Sequence, residues 1–347
     1  MIISAVSVIS PFGVGLDAFT EGMRSGRSTL STVDADVPQK QEGLASFEIG
    51  DILDEVPSFR VLGRAGSLAL GTVGLLQDSL SPYSPGERAV VMGGNLIATD
   101  RAMGLTIESL IASPPYQVDT KQFPSSLMNH CAAQTAIRFK MRGPNTTITT
   151  GRVTGLSVLG YAKRLHALGR APMVLAGVVE DMNPRRSWLT WHGHGAGSTD
   201  PLGEGCCVFM IEAAEAAAAH GRPALVEVLA LEFGVPLRVD GLADALAARM
   251  HRALDRAGLS VGDVRTAVVS GPFASDELSA VSTVLGSGTR VLEPASLIGD
   301  TDGASAAFQL ATAIAHAPPE GELAMVTSVD PDGHVGCGVF RILAQGR

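Results

Sequence analysis

Apolar and polar positions alternate in blocks along this chain. Five short, almost wholly apolar runs predict strands buried on both faces: AVVMGG (89–94), MVLAGVV (173–179), CVFMI (207–211), TAVVSG (266–271) and LAMVTSV (323–329). Between them the apolar spacing switches from continuous to helical. Val158, Ala162, Leu165 and Gly169 fall on one stripe, with Lys163, Arg164 and Arg170 kept off it. Leu242, Leu246, Met250 and Leu254 form a second stripe, with Gly258 placed to close the helix. Strands alternating with helices predict an α/β fold. The stretch EAAEAAAAHGRPA (212–224) reads as an alanine-rich helix followed by a Gly/Pro link, a junction between a half at 1–221 and a half at 222–347.

The pattern also repeats. GRVTG (151–155) precedes a helix and then the run MVLAGVV, and GDTDG (299–303) precedes the apolar helix ASAAFQLATAIAH and then LAMVTSV. Two copies of one α/β design, packed back to back, would let the two helix N-termini face one another. With 40 glycines in the chain, coincidence is the competing explanation. The first turn has the form of a nucleophile's seat: a β-branched run, a glycine-flanked corner, and a helix whose N-terminal N–H groups favour an anion or a nucleophile. Arg152, a cation, occupies it, and Asp300 holds the equivalent place in the second turn.

Composition narrows the partners. The chain has 347 residues, 46% of them hydrophobic, enough for a large core. A net charge of −9 argues against nucleic acid or an anionic membrane as primary partner. Cys131, Cys206, Cys207 and Cys337 show no C-x-x-C spacing and read as buried thiols of a reducing compartment. The N-terminal run lacks a basic region and breaks at Pro11, and no run reaches the ~18 apolar residues of a membrane span. This is the profile of a cytoplasmic protein. His192 and His194 lack a carboxylate or third histidine at ligand spacing and sit in what reads as a loop, so no metal is expected there. Asp330 and Asp332, in DPDG, read as a turn, because the rest of a calcium loop is missing.

Three segments carry a family resemblance. ISAVSVISPFGVGLDAF (3–19) resembles the N-terminal strand and turn of the β-ketoacyl synthases, the condensing enzymes of fatty acid and polyketide synthesis. The long block FPSSLMNHCAAQTAIRFKMRGPNTTITTGRVTGLSVLGYAKRLHALGRAPMVLAGVVED (123–181) resembles their interface helix, nucleophile strand and elbow. GEGCCVFMIEAAEAAAAHGRP (203–223) resembles the start of their interdomain connection. The resemblance implies the thiolase-like fold, a duplicated five-layered α-β-α-β-α sandwich, in agreement with the repeat.

It also implies a lost reaction. Arg152 stands where the family carries its cysteine, Ser270 and Asp300 where it carries two histidines, and Ala295 where it carries a lysine. Condensation needs a thiolate to hold the acyl group and N–H donors for the enolate. A guanidinium cannot be acylated and stays protonated. Type II polyketide synthases pair an active ketosynthase with such an emptied paralogue, the chain length factor, and this chain is similar to a divergent one that lacks the glutamine common at the cysteine position. The short chain and missing glutamine point to a highly reducing or polyene-type system. The partners so implied are a ketosynthase alpha subunit and an acyl carrier protein; no cofactor is implied.

On this resemblance, Phe123, Leu127, Met128, Cys131, Thr147 and Thr149 belong to the dimer interface, and Met103 and Ile107 form the gate that ends the partner's acyl tunnel; ordinary core packing is the competing role for that pair. Arg152 and Asp300 are expected to form an ion pair that plugs the vestigial pocket, the alternative being an Arg152 turned to solvent or to another acid such as Asp302. Two other functions stay open: a thiolase-fold acyltransferase or priming decarboxylase, and a homodimeric scaffold.

Overall fold

The computed structural model describes the chain apart from residues 57, 115–116, 194–198, 237, 239–240, 272–273 and 344–347. Its principal strands are β1 (Ile2–Ser10), β2 (Arg88–Gly93), β3 (Asn145–Ile148), β4 (Met173–Glu180), β5 (Gly205–Glu212), β6 (Val226–Gly234), β7 (Thr266–Val268), β8 (Arg290–Leu292), β9 (Glu322–Val329) and β10 (Val335–Ile342). They follow one hydrogen-bonded path, β8-β7-β9-β10-β6-β1-β5-β4-β2-β3.

That path is one arrangement used twice. In the first half β2 runs parallel to β3 and β4, while β5 is antiparallel to both β4 and β1. In the second half β7 runs parallel to β8 and β9, while β10 is antiparallel to both β9 and β6. The two sets join where β1 meets β6, through Ile2↔Glu227 and Ile3↔Val226.

Side chains alternating across these strands divide the core into three. On β4, Val174, Ala176 and Val178 face a central cluster, and Met173, Leu175 and Val179 face an outer one. On β10, Phe340 and Ile342 share the central cluster, and Val335, Cys337 and Val339 enter the other outer one. The central layer holds α5 (Thr154–Ala167) and α9 (Ser305–His316), the helices that follow the two glycine turns. Helix α9 is buried from Ser305 to Ala315, which explains its nearly uniform apolar sequence. A Cβ on Gly155 would lie 2.9 Å from the Ala307 nitrogen and 3.0 Å from the Ala306 Cβ, so glycine lets these helices approach. The outer layers are α2 (Phe59–Gly74) with α4 (His130–Arg138) on one side, and α7 (Leu242–Ala257) with α8 (Ala274–Leu285) on the other. This is the five-layered thiolase-like sandwich. Gly258, at φ 66°, ends α7 in the left-handed conformation.

Some local expectations change. TAVVSG forms strand only at Thr266–Val268, because the Ser270 N–H turns to the Glu277 carboxylate instead of a neighbouring strand. The segment before His194 is a helix, α6 (Pro184–Gly193), in which Trp188 and Trp191 pack against His192; His194 itself lies outside the described residues. Cys131, expected at the dimer interface, is turned inward at 3% exposure and packed in the outer core with α2. Two strands with little apolar signal, β6 and β10, lie between the obvious runs. On β6 half-buried Glu227 and buried Glu232 interrupt the apolar run.

Candidate functional site

The end of β3 runs into a corner built by local hydrogen bonds. The Thr154 hydroxyl donates to the Gly151 carbonyl at 2.6 Å and accepts from the Thr150 N–H at 2.9 Å. Gly151 adopts φ 58°, which turns the chain and aims the next side chain inward at the start of α5. That side chain, Arg152, is 1% exposed.

The second turn meets it. Arg152 Nη1 donates to Asp300 Oδ1 at 2.7 Å and Nη2 donates to Asp300 Oδ2, a two-pronged ion pair between residues 148 apart in sequence. Burial alone would push the Asp300 carboxyl up, but the Arg152 guanidinium outweighs it and holds the group below the usual carboxylate range. Burial likewise works against the guanidinium, and the Asp300 charge raises it above its ordinary value. The Asp302 N–H donates to Asp300 Oδ1 at 2.9 Å, and buried Arg186 donates to the Asp300 backbone carbonyl at 2.9 Å, so both the side chain and the main chain of Asp300 are held. Asp302 is held through its side chain by Asn95 Nδ2 at 3.1 and 3.2 Å.

A third carboxylate completes the corner. Asp330 Oδ2 accepts the Arg152 backbone N–H at 2.8 Å. A Cβ on Gly151 would come within 1.8 Å of that same oxygen, so the carboxylate lies directly against the glycine. Asp330 is itself held by a tight turn, its N–H donating to the His334 carbonyl at 2.8 Å and its Oδ1 accepting from the Asp332 N–H at 2.9 Å. An anion thus does sit at this helix start, supplied by the far end of the chain.

The remaining singled-out positions have partners of their own. Ser270 donates through its hydroxyl to Glu277 Oε1 and through its N–H to Oε2 at 2.8 Å. Thr327 Oγ1 (3.0 Å) and the Val329 N–H (2.9 Å) donate to the same carboxylate. Burial pushes Glu277 above the usual carboxylate range, and these four donors partly offset it. Ala295 fills the space beside Gly271, where an added Cβ would come within 2.3 Å of the Ala295 methyl carbon. Both donors of Ser270, its hydroxyl and its N–H, are therefore turned to Glu277. Burial also pushes the Cys206 thiol up to about 12 and raises Cys131, Cys207 and Cys337, leaving buried, inert thiols. Among the described residues no group of three or more His, Cys, Asp or Glu is placed to hold a metal ion.

Residues 56–217 match the model of the β-ketoacyl synthase N-terminal domain. A solved structure described as the ishigamide ketosynthase/chain length factor superposes with a TM-score of 0.87, 32% identity, and 99% of each chain covered. The chain belongs to the β-ketoacyl synthase family. A relative within it, the chloroplastic 3-oxoacyl-(acyl-carrier-protein) synthase I of Arabidopsis thaliana, is 25% identical over 89% of this chain and 73% of its own. A type II polyketide synthase acyl-carrier protein in complex with its ketosynthase bound to the hexaketide shares the fold, at TM-score 0.83 and 18% identity over 99% of this chain and 98% of that one. For a β-ketoacyl synthase the elbow is unusual chemistry: a planar cation with all its facing lone-pair partners engaged has no electron pair with which to attack a thioester.

Around that elbow the family scaffold leaves one face of the first half uncovered. Among the described residues β3 is an edge strand, paired with β2 alone. Phe123 (59% exposed) and Ile137 (71%) stand out on the surface, with Leu127 and Met128 also exposed. Ile107, Leu110 and Ile111 are exposed on α3 (Thr99–Ile111), while Met103 is half-buried there. Thr147 is half-buried and Thr149 exposed. No helix among the described residues is long and apolar enough to cross a membrane.

Proposed function

We propose that this chain is the chain length factor of a type II polyketide synthase: a non-catalytic subunit that pairs with an active ketosynthase and closes the far end of its acyl tunnel. The observation that carries the reading is the bidentate Arg152–Asp300 pair buried at the elbow, joined to full-length 32% identity with a ketosynthase/chain length factor structure. Nucleophile and enolate donors are replaced together, and the space they would need is filled by an ion pair that fixes geometry. The partner's surface would be the edge strand β3, with Thr147 and Thr149, and the apolar side chains of Phe123, Leu127 and Met128. An unpaired edge beside exposed apolar groups fits strand pairing with a second subunit. An acyl carrier protein would dock on the resulting complex.

Co-expression with a ketosynthase encoded beside it tests this. A stable one-to-one complex, with no carbon dioxide released from malonyl-carrier protein by this chain alone, is the expected result. A soluble homodimer that decarboxylates malonyl-carrier protein would overturn it.

Met103 and Ile107 lie one turn apart on α3 and would form the stop for the growing chain. Replacing each by alanine is expected to lengthen products of the reconstituted pair by one or more extension units, read by mass spectrometry. Unchanged lengths from an intact complex would remove these residues from the gate.

A further inference from the structure

A groove of about 600 Å³ opens beside the edge strand β3, between α5, β6 and the end of α7. Much of its lining is apolar. Ile148 ends β3, Tyr161 lies half-buried on α5, and Leu229, Leu231 and Phe233 take alternate positions of β6, with Phe233 40% exposed. Its charged lining is basic throughout: Lys163 and Arg164 from α5 and Arg256 from α7, with no carboxylate beside them in the groove. The chain as a whole carries a net charge of −9, so overall composition does not account for such a patch. These cations are short of counter-ions. Buried Glu232 is shared between Arg256 Nη1 at 2.5 Å and Arg252 Nε at 3.2 Å, one carboxylate for two guanidinium groups. Arg164 is exposed and has no ion-pair partner among the described residues. Lys163 is half-buried, and its Nζ donates to the Leu229 carbonyl at 3.4 Å. Burial, and then the Arg256 charge, hold its ammonium below the usual lysine range.

We propose that this groove receives an acidic segment of the ketosynthase partner, with an apolar side chain in the cleft and a carboxylate beside Lys163 and Arg164, and that it selects against the pairing of two copies of this chain. The inference rests on the heterodimer proposed above. Because the groove begins at Ile148, a subunit paired along β3 extends over it. Charge then decides which subunit fits. In a two-fold dimer joined through β3, the helix that follows the strand lies beside the joint in both subunits, so the basic patch approaches its own copy. Neither β3 nor α5 contains an Asp or Glu, so a second copy brings cations toward cations there. A ketosynthase with carboxylates on the matching surface supplies the missing counter-ions and takes the apolar floor out of water.

The test dilutes the co-purified complex with its ketosynthase and follows dissociation by mass photometry at low and at high salt. The wild-type Kd is expected to rise with salt. Lys163→Glu and Arg164→Glu should each raise Kd at least about tenfold and flatten that rise, whereas Lys163→Arg, which keeps the charge, should stay close to the wild type. Thermal unfolding confirms that the variants fold; Arg164 is exposed, so its reversal serves even if Lys163→Glu unfolds. Unchanged affinity and salt dependence in the folded reversals overturns the groove and leaves the heterodimer standing. Absence of any complex with the wild-type chain removes the heterodimer and the groove's occupant together. A wild-type homodimer that the same reversals weaken would make a second copy the occupant, and likewise overturns the proposal.

Discussion

Replacing Asp300 by alanine is expected to destabilise the protein by about 3–5 kcal/mol, because it strands the Arg152 guanidinium in a dry interior. With two to four degrees per kcal/mol in mid-sized proteins, and less in larger ones, the fall in Tm should be roughly 6–10 °C. Differential scanning fluorimetry of the co-purified complex checks it. The double variant Arg152→Met/Asp300→Leu should recover most of the loss, since matched apolar groups replace a buried pair without leaving a charge. The sign with pH follows from Asp300 being held below the usual range. Its contribution is complete above the unfolded-state value of about 4 and disappears as pH falls through the lower folded value. The deficit of the single variant should therefore hold from pH 7 to pH 5 and narrow only below about pH 4. An Asp300→Ala protein as stable as the wild type would show that the pair is not what fixes the elbow.

Phe123→Asp carries the second large effect. Phe123 is 59% exposed in the isolated chain and stands among the apolar groups proposed to meet the ketosynthase. Truncating a central aromatic anchor in an interface costs about 2–4 kcal/mol, and a carboxylate in its place adds a desolvation penalty. Affinity for the partner should fall at least about 100-fold, with no loss of folding, because the residue contributes little to this chain's own core. Analytical ultracentrifugation of the mixed subunits reads it directly. Undiminished assembly would move the interface away from the 120–128 segment.

Much of the architecture was legible because its strands are buried on both faces and so announce themselves as apolar runs. The duplication was legible from two G-x-x-x-G turns, whereas the meeting of Arg152 with Asp300 is what the family resemblance implies, since the residues they replace are neighbours across the pocket. Other parts of the site were not. Asp330 reaches the Arg152 N–H across 178 residues, and nothing local in DPDG distinguishes a turn that caps a distant helix from one that merely reverses the chain. Glu277 stands only seven residues after Ser270, so the spacing was available, but a lone glutamate at a helix start ordinarily reads as a solvated charge. The burial of Cys131 was not legible for a related reason. The resemblance covers the whole block from Phe123, but it does not say which side chains of α4 turn to the core and which, like Leu127 and Met128 before it, stay exposed. His192 was hidden by glycine-rich neighbours that suggested a loop, whereas the tryptophans before it extend a helix.

Both latches on Arg152 come from the opposite copy of the duplicated design: Asp300 grips its guanidinium and Asp330 its main chain. The elbow of the first copy takes its counter-ions from the second, and the middle helices of the sandwich are shared property. Severing the chain near residue 221 should thus yield two insoluble fragments rather than two autonomous modules, and the intact molecule should melt in a single step. One arrangement used twice makes a single unit that cannot be divided.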